Sequence, residues 1–173
     1  MQAETKQMRL VDPILMEMDQ EAEITKRLFD IIPEDKLSWR PHAKAKSLGE
    51  LAMHIAGLQA GVAELSQQDT VEIPNFPPDT EATSRAEILE AFADSLKKAK
   101  DIVNATDDAR ATALYTITKD GRTLMTVPRI AFWRSILLNH NYHHRGQLST
   151  YLRELDIPLP SIYGPSADTN PFA

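Results

Sequence analysis

The sequence predicts an all-α fold, a four-helix bundle with long connections and a small hairpin before the last helix. Three observations carry this. Four segments repeat apolar residues at helical spacing, start and stop signals bound those segments, and alternation of the strand type is confined to one short stretch. With 173 residues the chain fits one domain, residues 1–173, able to bury about 70% of its unfolded surface.

The first helix opens at Asp12-Pro13, an N-cap followed by a favoured first helical residue, and runs to about Ile32 before Pro33 stops it. Leu15, Met18, Ala22, Leu28, Phe29 and Ile32 make its inner face, and the charges from Glu17 to Lys26 read as a solvated outer face. Pro33 to Lys46 reads as an irregular connection anchored by Trp39. Ser47-Leu48-Gly49-Glu50 has the form of a capping box and opens a second helix to about Ser66, with Leu48, Leu51, Ile55, Leu58 and Val62 on one side. His54 lies at the margin of that stripe, where a lone histidine reads as a hydrogen-bonded core residue unless other ligands meet it.

Gln67 to Thr83, with Pro74, Pro77 and Pro78, reads as an irregular surface connection. Ser84-Arg85-Ala86-Glu87 is a second capping box, opening a third helix to about Asn104 that buries Ile88, Leu89, Phe92, Leu96 and Ile102. Lys97, Lys98 and Lys100 suit the solvated C-terminal end of that helix. Leu114 to Val127 alternates about Asp120-Gly121, a strong two-residue turn signal, and predicts a hairpin or hairpin-like loop. The fourth helix starts near Val127-Pro128 and ends near Leu155, and the proline-rich tail from Asp156 to Ala173 reads as extended coil packed on the bundle. The helical connections are each long enough to run the length of a helix, so helix order and direction stay open.

The fourth helix holds three of the five histidines, His140, His143 and His144. At about 100° per residue, Trp133, Ile136, Leu137, Leu148 and Tyr151 form one buried stripe, and His140 and His144 point along it within about 40° of each other. A buried imidazole left unpaired costs about 1–3 kcal/mol, so an inward pair needs partners. The spacing of four is the one by which a helix offers two nitrogens to one divalent ion, although Asn141 stands where the metalloprotease motif has a glutamate. Two core histidines tied to carboxylates or carbonyls would satisfy the same pattern. His143 sits at the stripe's edge, as a pocket residue, a proton shuttle or plain surface; Gln147 faces inward, towards a water, a ligating imidazole or a loop. Arg145 reads as setting the helix geometry, while His42 and Tyr163 lie in connections that reach towards the bundle mouth.

Composition narrows the partners. Hydrophobic residues are 42% and charged residues 25%, ordinary for a soluble globular chain. The formal charge of −6, from 25 acidic and 19 basic residues, argues against a phosphate backbone as partner. There is no cysteine, so a metal must sit on His, Asp or Glu, and thiol chemistry would need a borrowed thiol. MQAETKQMRL contains no apolar leader, and no uncharged apolar run of about 18 residues occurs, which predicts a cytoplasmic protein without a membrane span.

SLGELAMHIAGL in the second helix, HNYHHRGQLSTYLREL in the fourth, the closing PLPSIYGPSAD and WRPH before the second helix together resemble the DinB/YfiT-like superfamily of metalloenzymes over nearly the whole chain. The resemblance implies a four-helix bundle, often dimeric, with a divalent ion held by His54, His140 and His144. Three neutral imidazoles suit zinc, nickel or another borderline ion and leave a position for water or substrate. The expectation is a metal-dependent transferase or hydrolase acting on a small molecule. The resemblance adds transfer of a low-molecular-weight thiol such as bacillithiol or mycothiol, which the same three ligands do not select over hydrolysis or isomerisation. The alternative is a non-catalytic metal-binding or stress-associated dimeric bundle. Nothing in charge or motif supports the DNA contact that the family name suggests.

Overall fold

The computed structural model describes residues 7–172; part of the stretch read as lacking a leader, residues 1–6, lies outside them. Helices α1 (Asp12–Phe29), α2 (Leu48–Leu65), α3 (Arg85–Asn104), the short α4 (Asp108–Thr112), α5 (Arg129–Phe132) and α6 (Asn139–Glu154) dominate. A six-residue π turn, Trp133–Leu138, joins α5 to α6 without a break in the helical path. The all-α expectation needs correction, because a small mixed sheet of β1 (Thr70–Glu72), β2 (Leu114–Lys119) and β3 (Arg122–Pro128) is also present.

The predicted hairpin forms where expected. Asp120 and Gly121 have φ of 50° and 72°, and two positive central residues give the tight turn whose twist matches paired strands. A register shift at Ile117/Thr118 leaves one extra residue in β3. β1 was not foreseen: three residues are too short for periodicity, and the strand exists by pairing in parallel with β2, Thr70 to Thr116 and Val71 to Ile117.

The helix starts show how local chemistry sets the frame. At α2 the full capping box is present, the Glu50 amide donating to Ser47 Oγ at 3.1 Å and the Ser47 amide to Glu50 Oε2 at 2.6 Å. At α3 the Ser84 hydroxyl accepts from the Glu87 amide at 3.2 Å, but the Glu87 carboxylate turns to Thr83. Asp12 is not the cap of α1. Val11 holds that position, and the Asp12 carboxylate accepts from the Arg9 amide and side chain. α1 stops at Phe29, three residues before the expected end.

Two apolar clusters fill the interior and reveal the helix directions. Val11, Ile14 and Met18 of α1, Leu58 and Val62 of α2, Ala99 and Val103 of α3, and Trp133 and Leu137 join Val71, Tyr115 and Ile117 of the sheet. Leu28, Phe29, Leu51, Ile55, Ile88, Phe92, Leu148 and Leu152 form the other. α1 and α6 therefore run one way and α2 and α3 the other, with α2 against α3 and α6, and α1 against α3 and α6. The connection from α2 to α3 has to travel the length of α2, from Val71 in the first cluster to Ala82 in the second. Where the clusters meet, beside Leu96, polar residues gather: Glu21 on α1, Ser95 on α3 and most of the run Asn139 to Gln147 on α6.

Candidate metal centre

The histidines stand at that polar seam. α2 carries His54 and the first half of α6 carries His140 and His144, and because α2 packs on α6 the three imidazoles converge. One nitrogen from each lies within 4.8 Å of the other two, a group that could hold a metal ion; among the described residues no carboxylate joins it. Ring centroids are 4.4 Å apart for His54 and His144, 4.5 Å for His140 and His144, and 5.5 Å for His54 and His140.

Hydrogen bonds on the far side of two rings set their tautomers. Asp79 Oδ1 accepts from His54 Nδ1 at 2.8 Å, which leaves His54 Nε2 facing inward. That nitrogen is buried and has no hydrogen-bond partner among the described residues. Gln147 Oε1 accepts from His144 Nδ1 at 2.7 Å, so the neutral His144 keeps its lone pair on Nε2. His144 Nε2 lies 2.7 Å from His140 Nε2, and the proton between them therefore belongs to His140. For all three rings to hold one ion through Nε2, His140 would carry its proton on Nδ1 instead.

Electrostatics favour the neutral form of His140 and His144. Burial pulls the His144 pKa down to about 4 against the hydrogen bond to Gln147, with repulsion from His54, His140 and His143 acting in the same direction. His140 is lowered by burial and then by His54 and His143. For Asp79 burial favours the neutral acid, but hydrogen bonds from Lys46 and His54 outweigh it and hold the carboxyl below its ordinary value. The orphaned inward nitrogen of His54, the neutral rings of His140 and His144 and the carboxylate behind His54 all fit a divalent cation.

The other candidates separate into three places. Gln147 backs His144, and the exposed His143 packs its ring 4.9 Å from that of His144 at the rim. Arg145 instead turns away and is buried, 2.6 Å from the carboxylate of Glu21, which is itself buried. The Tyr163 hydroxyl donates to Glu21 at 2.8 Å and contacts Arg145, so this tyrosine belongs to the ion pair between α1 and α6. Glu21 is the exception to the solvated outer face expected of α1. His42 is exposed, accepting from the Lys44 amide at 3.1 Å within its own loop, and is not brought to the centre. Asp79 escaped the sequence reading, since an aspartate after two prolines in an irregular crossover carries no spacing signal.

Fold and site together define a mostly helical protein with a small mixed sheet and a three-histidine group able to hold a divalent ion. A sequence model of the DinB superfamily matches residues 17–148, and the chain belongs to that superfamily. It is 24% identical over 163 residues to the protein YrdA of Bacillus subtilis (strain 168), covering 91% of this chain and 90% of that one. Among solved structures it is similar in fold to a DinB-like protein from Bacillus cereus, with a TM-score of 0.66 and 21% identity over 86% of this chain and 95% of the other. A DinB-like protein of Bacillus subtilis, YjoA, gives the same TM-score at 18% identity, over 87% and 97% of the two chains.

Proposed function

We propose that the chain binds one divalent ion, zinc or nickel being the best match to the ligands, through His54, His140 and His144, and acts there on a small molecule. The observation that carries this reading is the buried, unpartnered Nε2 of His54 beside the facing nitrogens of the other two rings. A bound divalent ion supplies Lewis-acid activation of a small ligand such as water or a thiol. The chain's own residues prepare for it: Asp79 and Gln147 hold the outer protons of two rings, which directs both Nε2 lone pairs to one point. The exposed ring of His143 stands at the rim beside His144, placed to exchange a proton with an entering ligand.

A non-catalytic metal-binding or stress-associated bundle is the competing reading. A purely structural ion favours four protein ligands, and the group gathered here has three. This favours the enzyme; a low-molecular-weight thiol is the substrate class the family resemblance suggests, and with no cysteine in the chain that thiol has to come from the substrate side. We read the long helices as a four-helix bundle that acts as a cytoplasmic homodimer without nucleic-acid or membrane partners. Among the described residues no helix is long and apolar enough to cross a membrane.

Two measurements test the reading. Protein purified without chelator or affinity tag is expected to carry close to one divalent ion per chain, and His140→Ala or His144→Ala to lose most of it; full retention in both variants refutes the ligand assignment. Transfer of a bacterial thiol to a generic electrophile is expected to require added metal, and turnover indifferent to metal across several thiols refutes the transferase.

A further inference from the structure

The residues behind His54 come from the crossover between β1 and α3, and no helical pattern accounts for them. Asp79 Oδ1 accepts from His54 Nδ1 at 2.8 Å, and Oδ2 accepts from Lys46 Nζ. Two residues on, Glu81 Oε2 accepts from the Ser47 hydroxyl at 2.7 Å. Ala82 then passes so close to the first turn of α2 that a Cβ on Gly49 would stand 3.1 Å from its amide nitrogen and 3.2 Å from the Leu37 carbonyl oxygen. Only glycine admits that approach without a shift. The strap 79–82 is thus fastened at Lys46 and the cap Ser47 just before α2 and at Gly49 and His54 within it, and the last of these is a candidate metal ligand.

We infer that Asp79 is a positioning residue of the metal centre: fastened by Lys46 and the strap, it fixes His54 as the Nδ1–H tautomer and aims Nε2 at His140 and His144. The inference rests on the metal-binding reading and deepens it, by giving the crossover a role in setting affinity. A carboxylate behind a ligating imidazole fixes the ring's rotation and raises the basicity of the nitrogen in front, and loss of such a partner weakens metal binding about 10- to 100-fold. Lys46 occupies the second carboxylate oxygen, so Asp79 cannot swing off the ring to make that bond elsewhere. Gly49 acts one step further away, by letting the strap reach the depth at which Asp79 meets His54.

The test uses the full chain and two readouts, the His54 tautomer in the metal-free protein by nitrogen NMR, and zinc affinity by competition with a chromophoric chelator. Wild-type His54 is expected as a single Nδ1–H tautomer. Asp79→Ala is expected to give a tautomer mixture and zinc binding about 10- to 100-fold weaker. Asp79→Asn, which keeps shape but not charge, falls between, and Gly49→Ala weakens zinc in the same direction without touching either side chain. A tautomer and zinc affinity unchanged in Asp79→Ala overturn the inference, and should that variant not fold, the same result in Asp79→Asn does so. Failure of the metal reading looks different: wild type and His140→Ala then bind zinc alike, and the tautomer alone decides for or against Asp79.

Discussion

At the scale of single residues, the pair His140 and His144 was legible because a spacing of four repeats the helix turn, and the resemblance to a known family supplied His54. What the spacing could not carry is the protonation of each ring, which is set by Asp79, Gln147 and burial. A pH dependence follows. In the metal-free protein the His144 pKa falls from 6.5 to about 4, so the unfolded chain takes up a proton in that interval that the folded chain refuses. Stability is then full above about 6.5 and declines as pH falls towards 4, and His140 acts in the same sense. Melting temperature of chelator-treated protein is expected to drop across that window, and His144→Asn to flatten the drop; parallel curves would disprove the assignment. Arg145 makes a second case. Arg145→Met leaves the Glu21 carboxylate buried without its partner, which costs about 3–5 kcal/mol by denaturant unfolding, whereas pairing it with Glu21→Leu restores much of the loss.

At the scale of elements, the Ser-x-x-Glu patterns at Ser47 and Ser84 placed two helix starts correctly, because a serine cap is a local arrangement that the sequence states in four letters, although only Ser47 completes the box. Ser47→Ala is expected to cost about 1 kcal/mol of stability, measured by urea unfolding. The π turn at Trp133–Leu138 was not legible, since its cause is distant. Trp133 Nε1 donates to Ser66 Oγ at 2.8 Å, and the buried Arg129 donates to the carbonyls of Ser66, Gln68 and Arg110. These bonds fix the start of the segment against the end of α2, while His140 and His144 must face His54 near its middle. The π turn takes up one extra residue between the two demands. Deleting the exposed Ser135 is expected to restore α geometry and leave the histidine pair facing as before, because five α residues turn through about the same angle as six in the π segment. Far-ultraviolet circular dichroism should then keep its helical signal and zinc binding persist; loss of binding would show that the π turn does not absorb an extra residue.

For the whole molecule, metal should act as a clasp between α2 and α6, which carry the ligands on separate segments. Zinc at about 100 times its dissociation constant is expected to stabilise the fold by about 2.7 kcal/mol, read as a rise in melting temperature that His54→Ala abolishes. The long helices, most of their inner faces, the hairpin and the histidine pair were determined by the sequence itself, through periodicity, capping and turn chemistry that act within a few residues. Tertiary structure alone decided the rest. β1 formed because β2 was there to pair with it, Glu21 went inside because Arg145 met it across α1 and α6, and Asp79 reached His54 because the crossover had to retrace α2. Each of those contacts joins residues far apart in the chain, and their energies depend on a neighbour that no local pattern specifies.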